Sequence, residues 1–255
     1  MIKVVSKLAV AVVVVMIMAL PTIAQTWNVG VGADSANVTA TLSDGTLTIS
    51  GSGAMRSFNT GFQRPWHNSR NSITNVVIGS GVTTIGSFMA FYGCTDLTSI
   101  EVMPDNVRYS SLDGVLFSKA QDTLGIYPHG KQGAYIIPNS VTTIGSSAFS
   151  GCTGLTSITI PNSVTTIGDY AFSGCTGLTS VIIPNSVTTI GSSAFEGCTG
   201  LTSITAGTST ATLNNGTLTI GGTEGIPSQV YLCLANGVFS ELSTISLLLL
   251  SLKAA

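Results

Sequence analysis

The residues able to do chemistry in this 255-residue chain are few and regularly placed. Cys94, Cys152, Cys175 and Cys198 share one local context, Gly-Cys-Thr, and Cys233 stands apart. An even set of cysteines allows disulfides in an oxidising compartment. The same four positions, recurring in register, also allow a column of buried thiols, since a free cysteine packs as a small hydrophobe. Metal ligation is the weakest of the three readings, because neither histidine is spaced to complete a site. Those histidines, His67 and His129, follow Pro65-Trp66 and Tyr127-Pro128. Neither has a nucleophile motif beside it, which a hydrolytic triad would need. Asp44, Asp105 and Asp113 each precede Gly or Asn, and a turn explains them without calcium. We expect no catalytic residue, no metal and no cofactor.

The elements that position these residues come from a repeat. Ile-Pro-Asn-Ser-Val-Thr-Thr-Ile-Gly begins at Ile137, Ile160 and Ile183, a spacing of 23 residues. Ala-Phe follows at Ala148, Ala171 and Ala194, then Gly-Cys-Thr-Gly-Leu-Thr-Ser at Gly151, Gly174 and Gly197. An earlier copy runs from Ile73 to Thr95. A period of this length belongs to solenoids whose coils are stable only when stacked. Leu155, Ile158 and Ile160 read as an inward-facing strand pattern, repeated at Leu178, Val181 and Ile183 and at Leu201, Ile204 and Ala206. Alternate strand residues face the other way. One exposed row on the concave side is therefore expected to hold Val77, Glu101, Ile136, Thr159, Ile182 and Thr205. Apolar residues stand at three of these places where Thr satisfies the repeat, so this row is our candidate ligand-contact set. The Thr83-Thr84, Thr142-Thr143, Thr165-Thr166 and Thr188-Thr189 pairs suggest a second, polar row. Ordered water on such a row would suit ice binding, but exposed strand Thr needs no such role.

Hairpin patterns flank the array. Val38 to Leu42 and Thr46 to Ile49 alternate around Asp44-Gly45, and Thr210 to Leu213 and Thr217 to Ile220 repeat the pattern. Their simplest role is to cover exposed coil edges. Residues 103–134 break the period. Leu112 to Phe117 and Thr123 to Tyr127 read as two short strands of an irregular repeat that bulges from the solenoid. The expected organisation is thus a signal segment at 1–24, an N-terminal β cap at 25–72, repeats at 73–206 containing the insert, and a cap-like hairpin with an apolar tail at 207–255. The fold class is mostly β, a leucine-rich-repeat solenoid with hairpin caps.

Composition limits the partners. Charged residues make up 8% of the chain, against roughly 25% in an average soluble protein. Nucleic acid, which requires clustered Lys and Arg, is excluded as a partner. Lys3, Lys7, an apolar Leu8 to Leu20 and Thr22-Ile23-Ala24 form a signal-peptide pattern with cleavage expected before Gln25. Without Lys3 and Lys7 the formal charge moves from −2 to −4, too small to steer a partner.

The repeat unit as a whole, Ile-Pro-Asn-Ser-Val-Thr-Thr-Ile-Gly with Ala-Phe-x-Gly-Cys-Thr-Gly-Leu-Thr-Ser, resembles the BspA-type leucine-rich repeat. The insert is similar to a recurring element of that family through Pro104-Asp105-Asn106, Tyr109-Ser110-Ser111, Asp113 to Phe117 and Tyr127-Pro128. The resemblance spans roughly residues 27 to 205. It implies a secreted or cell-surface protein with an adhesive role toward a protein or glycan on a host or neighbouring cell. It supplies no catalytic residues, no small-molecule cofactor and no oligomeric state. A structural envelope or matrix component without a discrete ligand is the alternative.

Overall fold

The computed structural model describes residues 24–58, 61–86, 88–206, 209–214 and 217–221. The signal segment, apart from Ala24, and the apolar tail beyond Gly221 lie outside the described residues.

The chain opens on three antiparallel strands, β1 (Gln25–Asn28), β2 (Val38–Ser43) and β3 (Thr46–Gly51). Asp44 and Gly45 join β2 to β3 at φ 47° and 76°, the paired positive values that a two-residue hairpin turn requires. Val38, Ala40, Leu42, Leu47 and Ile49 are buried, so the hairpin has one apolar face. It is more than a lid. After β4 (Gly53–Ala54), strand β5 (Asn75–Ile78) pairs with β3 in parallel, so β3 serves as the first rung of the concave sheet. Strand β6 (Val82–Thr84) pairs with β4 on another side of the coil. Strand β7 (Ser99–Val102) continues the concave sheet beyond β5.

The insert departs from the sequence expectation in two ways. Leu112 to Phe117 is not one strand. Asp113 and Gly114, at φ 50° and 74°, turn the chain between β8 (Tyr109–Leu112) and β9 (Val115–Ser118). The insert also does not bulge. Strand β10 (Thr123–Ile126) pairs antiparallel with β9, and β10 is the parallel neighbour of the first short strand of the regular array, β12 (Thr143–Ile144). The insert is therefore built into the solenoid wall.

From β11 (Gly133–Ile136) onward the coils are regular. Strands β13 (Leu155–Thr159), β15 (Ser180–Ile183) and β17 (Ser203–Ala206) follow β11 along the concave side. Strands β14 (Thr166–Ile167) and β16 (Thr189–Ile190) follow β12 on the second side. Thr143, Thr166 and Thr189 are in register, as are Ser180 and Ser203, each a displacement of one repeat. Strands β18 (Ser209–Asn214) and β19 (Thr217–Gly221) add an antiparallel hairpin to β17.

Inside, like residues stack on like. Phe149, Phe172 and Phe195 are buried and stacked, with centroids 5.0 and 5.1 Å apart and rings 14° and 4° from parallel. Cys94, Cys152, Cys175 and Cys198 are free and fully buried; the last three share one apolar cluster, while Cys94 lies in the other. Cys175 and Cys198 donate through Sγ to the carbonyls of Phe149 and Phe172, one coil back. Outside, the Thr rows have a structural use. The hydroxyls of Thr142, Thr165 and Thr188 donate at 3.3 Å to the carbonyls of Asp122, Thr142 and Thr165. Each hydroxyl thus ties a coil to the previous one. That accounts for Thr here without ice binding.

Two apolar clusters result. One gathers Val29 to Ile100 with Leu116 and Ile126. The other runs from Val115, Phe117 and Leu124 to Ala206. Consecutive residues of β9 thus enter different clusters, and the insert is the layer between them.

Candidate ligand-binding face

The six candidate contact residues lie where strand alternation places them. Val77 and Glu101 are register partners on β5 and β7. Ile136 pairs with Thr159, and Ile182 with Thr205. Glu101, Ile136, Thr159 and Ile182 are exposed, whereas Val77 and Thr205 are half-buried. Ile136 and Ile182 leave 72% and 67% of their surface to solvent. Their strand neighbours Ile137, Val181 and Ile183 are buried. Thr48 extends the row as the partner of Val77. Sequence reasoning missed it because the hairpin was taken as a lid, although the Thr46-Leu47-Thr48-Ile49 alternation already matched a concave strand.

The row is not continuous. Between β7 and β11 the turn of the β8–β9 hairpin enters the sheet. The Ile100 amide donates to the Gly114 carbonyl at 2.8 Å, and the Val102 amide donates to Ser111 Oγ at 3.0 Å. These bonds close the outer edge of β7. Beyond the turn lies an open cleft of about 690 Å³, lined by Thr98, Asp113, Lys131, Gln132, Tyr135 and Ile136, among others. Tyr135 occupies the inward position that Ile158, Val181 and Ile204 fill in later coils. Those three are 6%, 1% and 1% exposed, but Tyr135 is half-buried. Burial, then Tyr127 and Asp113, raise its phenol pKa, so it remains a neutral hydroxyl.

The insert tyrosines are largely taken up by packing. Tyr127 is buried against Tyr135 and Phe149 at 4.8 and 5.0 Å. Burial, with a smaller effect of Cys152, pushes its phenol up to about 12. Tyr109 is half-buried against the N-terminal cluster. Tyr92 and Tyr170 are the tyrosines with 42% and 47% exposure, and neither stands in the concave row.

One grouping resembles catalytic machinery, and the sequence did not foreshadow it. Arg64 is 3% exposed, donates from Nη1 to the Met89 carbonyl at 2.7 Å, and acts electrostatically on both Cys94 and His129. Burial drives His129 down to about 4, and the Arg64 charge adds to this. Burial pushes Cys94 up to about 11 despite Arg64 and Arg70. A nucleophilic pair needs a thiolate and a basic imidazole. Here both groups are held in their neutral, unreactive forms. His67 instead rests on Phe62 at 4.6 Å. Asp122 accepts bonds from Ser118 Oγ and Thr123 Oγ1, which lower its pKa, so it organises a turn. Among the described residues, no group of three His, Cys, Asp or Glu side chains is placed to hold a metal ion, and no helix is long and apolar enough to cross a membrane.

A sequence profile described as a BspA type leucine rich repeat region matches six copies, over residues 66–121 and 130–219. No curated protein matches the chain. Among solved structures, a leucine-rich repeat protein from Eubacterium ventriosum is 25% identical, with 72% of this chain and 73% of that one covered at a TM-score of 0.42. The pneumococcal vaccine antigen PcpA is 28% identical over 53% of this chain at a TM-score of 0.44. The chain spans 39% of that antigen. A leucine rich cell surface protein from Faecalibacterium prausnitzii is 24% identical, with 74% and 59% covered at a TM-score of 0.39.

Proposed function

Since this chain belongs to the BspA-type leucine-rich repeat family, we propose that it is an exported, non-catalytic binding protein of the cell surface. Its partner is a protein or glycan carried by a host or a neighbouring cell. The contact face is the concave row of Val77, Glu101, Ile136, Thr159, Ile182 and Thr205. The observation that carries this reading is the exposure of Ile136 and Ile182 in a row where Thr159 and Thr205 hold the same place one coil on. Exposed branched aliphatics suit a strand on intrinsic preference alone, and at an interface they also exclude water. The neutral states of Cys94 and His129 agree with a role that involves no chemistry.

The test is capture of matrix proteins and mucin glycans by the mature chain, repeated with Glu101→Lys, Thr159→Lys and Ile182→Lys combined. All three positions are exposed, so the fold should persist by circular dichroism. Two added charges and one reversed charge on a face that must desolvate should weaken capture by at least about tenfold, or roughly 1.4 kcal/mol. Unchanged capture with an intact fold would remove the concave row from the reading. Export is tested separately. Intact-mass analysis of the extracellular protein should give a chain beginning at Gln25, and a mass that retains Met1 to Ala24 would contradict cleavage.

A further inference from the structure

The gap between β7 and β11 leaves the facing edge of β11 without a strand partner, a wider opening than the break in pairing between β13 and β15, which still run side by side. The bonds from Gly133 N–H to Gly154 O and from Ile137 N–H to Thr159 O show which residues of β11 face β13. In a parallel strand, alternate residues direct both N–H and C=O to the same side. Gly133, Tyr135 and Ile137 therefore serve β13, while Ala134 and Ile136 direct their amide groups to the opposite side. Among the described residues, strand β11 pairs only with β13. The opposite side is the cleft, which Ala134 and Ile136 both line. Strand β7 does not fill it, because the β8–β9 turn already takes the Ile100 and Val102 amides.

An unpaired edge inside a sheet differs from one at its margin. The first and last of the three sheets on this side carry hairpins at their outer edges, β1–β2 against β3 and β18–β19 against β17. The edge at β11 has no such cover and is flanked by side chains of mixed chemistry. Ile136 is exposed, Tyr135 is half-buried, and Asp113 and Lys131 supply one charge of each sign. Donors and acceptors that repeat every second residue match another backbone. A sugar ring offers hydroxyls at no such period.

We propose that the open edge of β11 binds an extended segment of a partner polypeptide, which joins the concave sheet as an added strand in the β7–β11 gap. The proposal deepens the binding role above and rests on it. Backbone pairing supplies the attachment. Alternate side chains of the incoming strand meet Tyr135 on the core side of the cleft and Ile136 on the solvent side, and these select its sequence.

The probe is an acetylated, amidated peptide with the sequence Gly-Leu-Thr-Ser-Ile-Thr-Ile. It copies residues 154–160, the strand that β11 already accepts on its other edge. At about 1 mM, where even a weak single-strand contact is populated, amide exchange at Ala134 and Ile136 should slow by about tenfold or more. Exchange at Tyr135 and Ile137, already bonded to β13, should not change. Two N-methylated peptides, blocked on one strand edge or on the other, should differ, with one inactive and one as active as the parent. No slowing, or equal activity of the two N-methylated peptides, would overturn the proposal. So would protection at these amides by a chitin oligosaccharide and not by the peptide. If captured partners bind the chain while the β11 amides stay unprotected, the edge is wrong and the binding role stands. If the edge is protected but the concave-row variant captures normally, the contact row is wrong instead.

Discussion

The regular array of residues 137–206 and the insert of residues 103–134 form adjoining parts of one wall but are held by different means. In the array, the core and second-side contacts are copies of one another. Phe149 stacks on Phe172 as Phe172 stacks on Phe195, and Thr165 and Thr188 bond the preceding carbonyl in the same way. Loss of one contact leaves its copies in place, so stability is a sum over coils. In the insert, each contact is made once. Asn106, fully buried, donates from Nδ2 to the carbonyls of Gly79 and Val82 and accepts the amides of Arg108 and Tyr109 at Oδ1. Val115 and Phe117 belong to one apolar cluster and Leu116 to the other. The comparison teaches that the insert is the joint of the molecule, where two otherwise separate cores are coupled.

The largest expected effect follows from that coupling. Phe117→Ala removes a buried ring at the joint and should cost about 3–5 kcal/mol. Phe172→Ala removes a ring of similar burial and should cost a similar amount. The distribution should differ. Phe172→Ala should raise amide exchange within residues 137–206 and leave β2, β3 and β5 protected. Phe117→Ala should raise exchange on both sides of the insert. Identical exchange patterns for the two variants would show that the joint is not special.

The array was legible in the sequence because near-identical repeats must occupy equivalent environments. Leu155, Ile158, Val164, Ile167, Phe172 and Cys175 could be placed in the core from one coil and carried to the others. The hairpin at Asp44-Gly45 was legible because only a few residues accept its dihedral angles. The insert was not. Val115-Leu116-Phe117 is apolar at three consecutive positions, and a strand buried on both faces shows no period of two. Its pairing with β12 and its entry between β7 and β11 are tertiary choices that no local signal carries. Strand alternation likewise made the row of Val77 to Thr205 legible in the sequence, but not the cleft that divides it.

The second expected effect is acid sensitivity at the joint. His129 sits beside Tyr92, ring centroids 5.7 Å apart, and its ring abuts Gly151 of the next coil. Arg64 is the charged group acting on it. Its pKa falls from 6.5 in the unfolded chain to about 4 in the fold. The unfolded state therefore binds the proton first. The His129 contribution is fully present above pH 6.5 and is lost as pH falls toward 4, amounting to about 3 kcal/mol. Denaturant titrations between pH 7 and pH 4 should show this slope in the parent chain and a shallower one in His129→Gln. Parallel slopes would place the acid sensitivity elsewhere.

The smallest effect compares one repeat position at the joint with the same position in the array. Gly154 and Gly177 both lie in the Cys-Thr-Gly-Leu segment, one repeat apart. A methyl group on Gly177 would run into the carbonyl oxygen of Thr153, part of the preceding coil's backbone. The coil spacing is fixed by many identical bonds, so that oxygen cannot withdraw alone, and overpacking of this kind costs about 1–3 kcal/mol. A methyl group on Gly154 would meet only the end of the Gln132 side chain. Gln132 is exposed, and its single bond, from Nε2 to the Gly130 carbonyl at 3.2 Å, is readily replaced by water. Gly154→Ala should then lie within about 0.5 kcal/mol of the parent, with Gly177→Ala clearly below both in midpoint denaturant concentration. The joint thus tolerates at its surface what the array does not, because a side chain stands there in place of a backbone. Equal destabilisation by the two alanines would mean that the coil after the insert is stacked as rigidly as the rest.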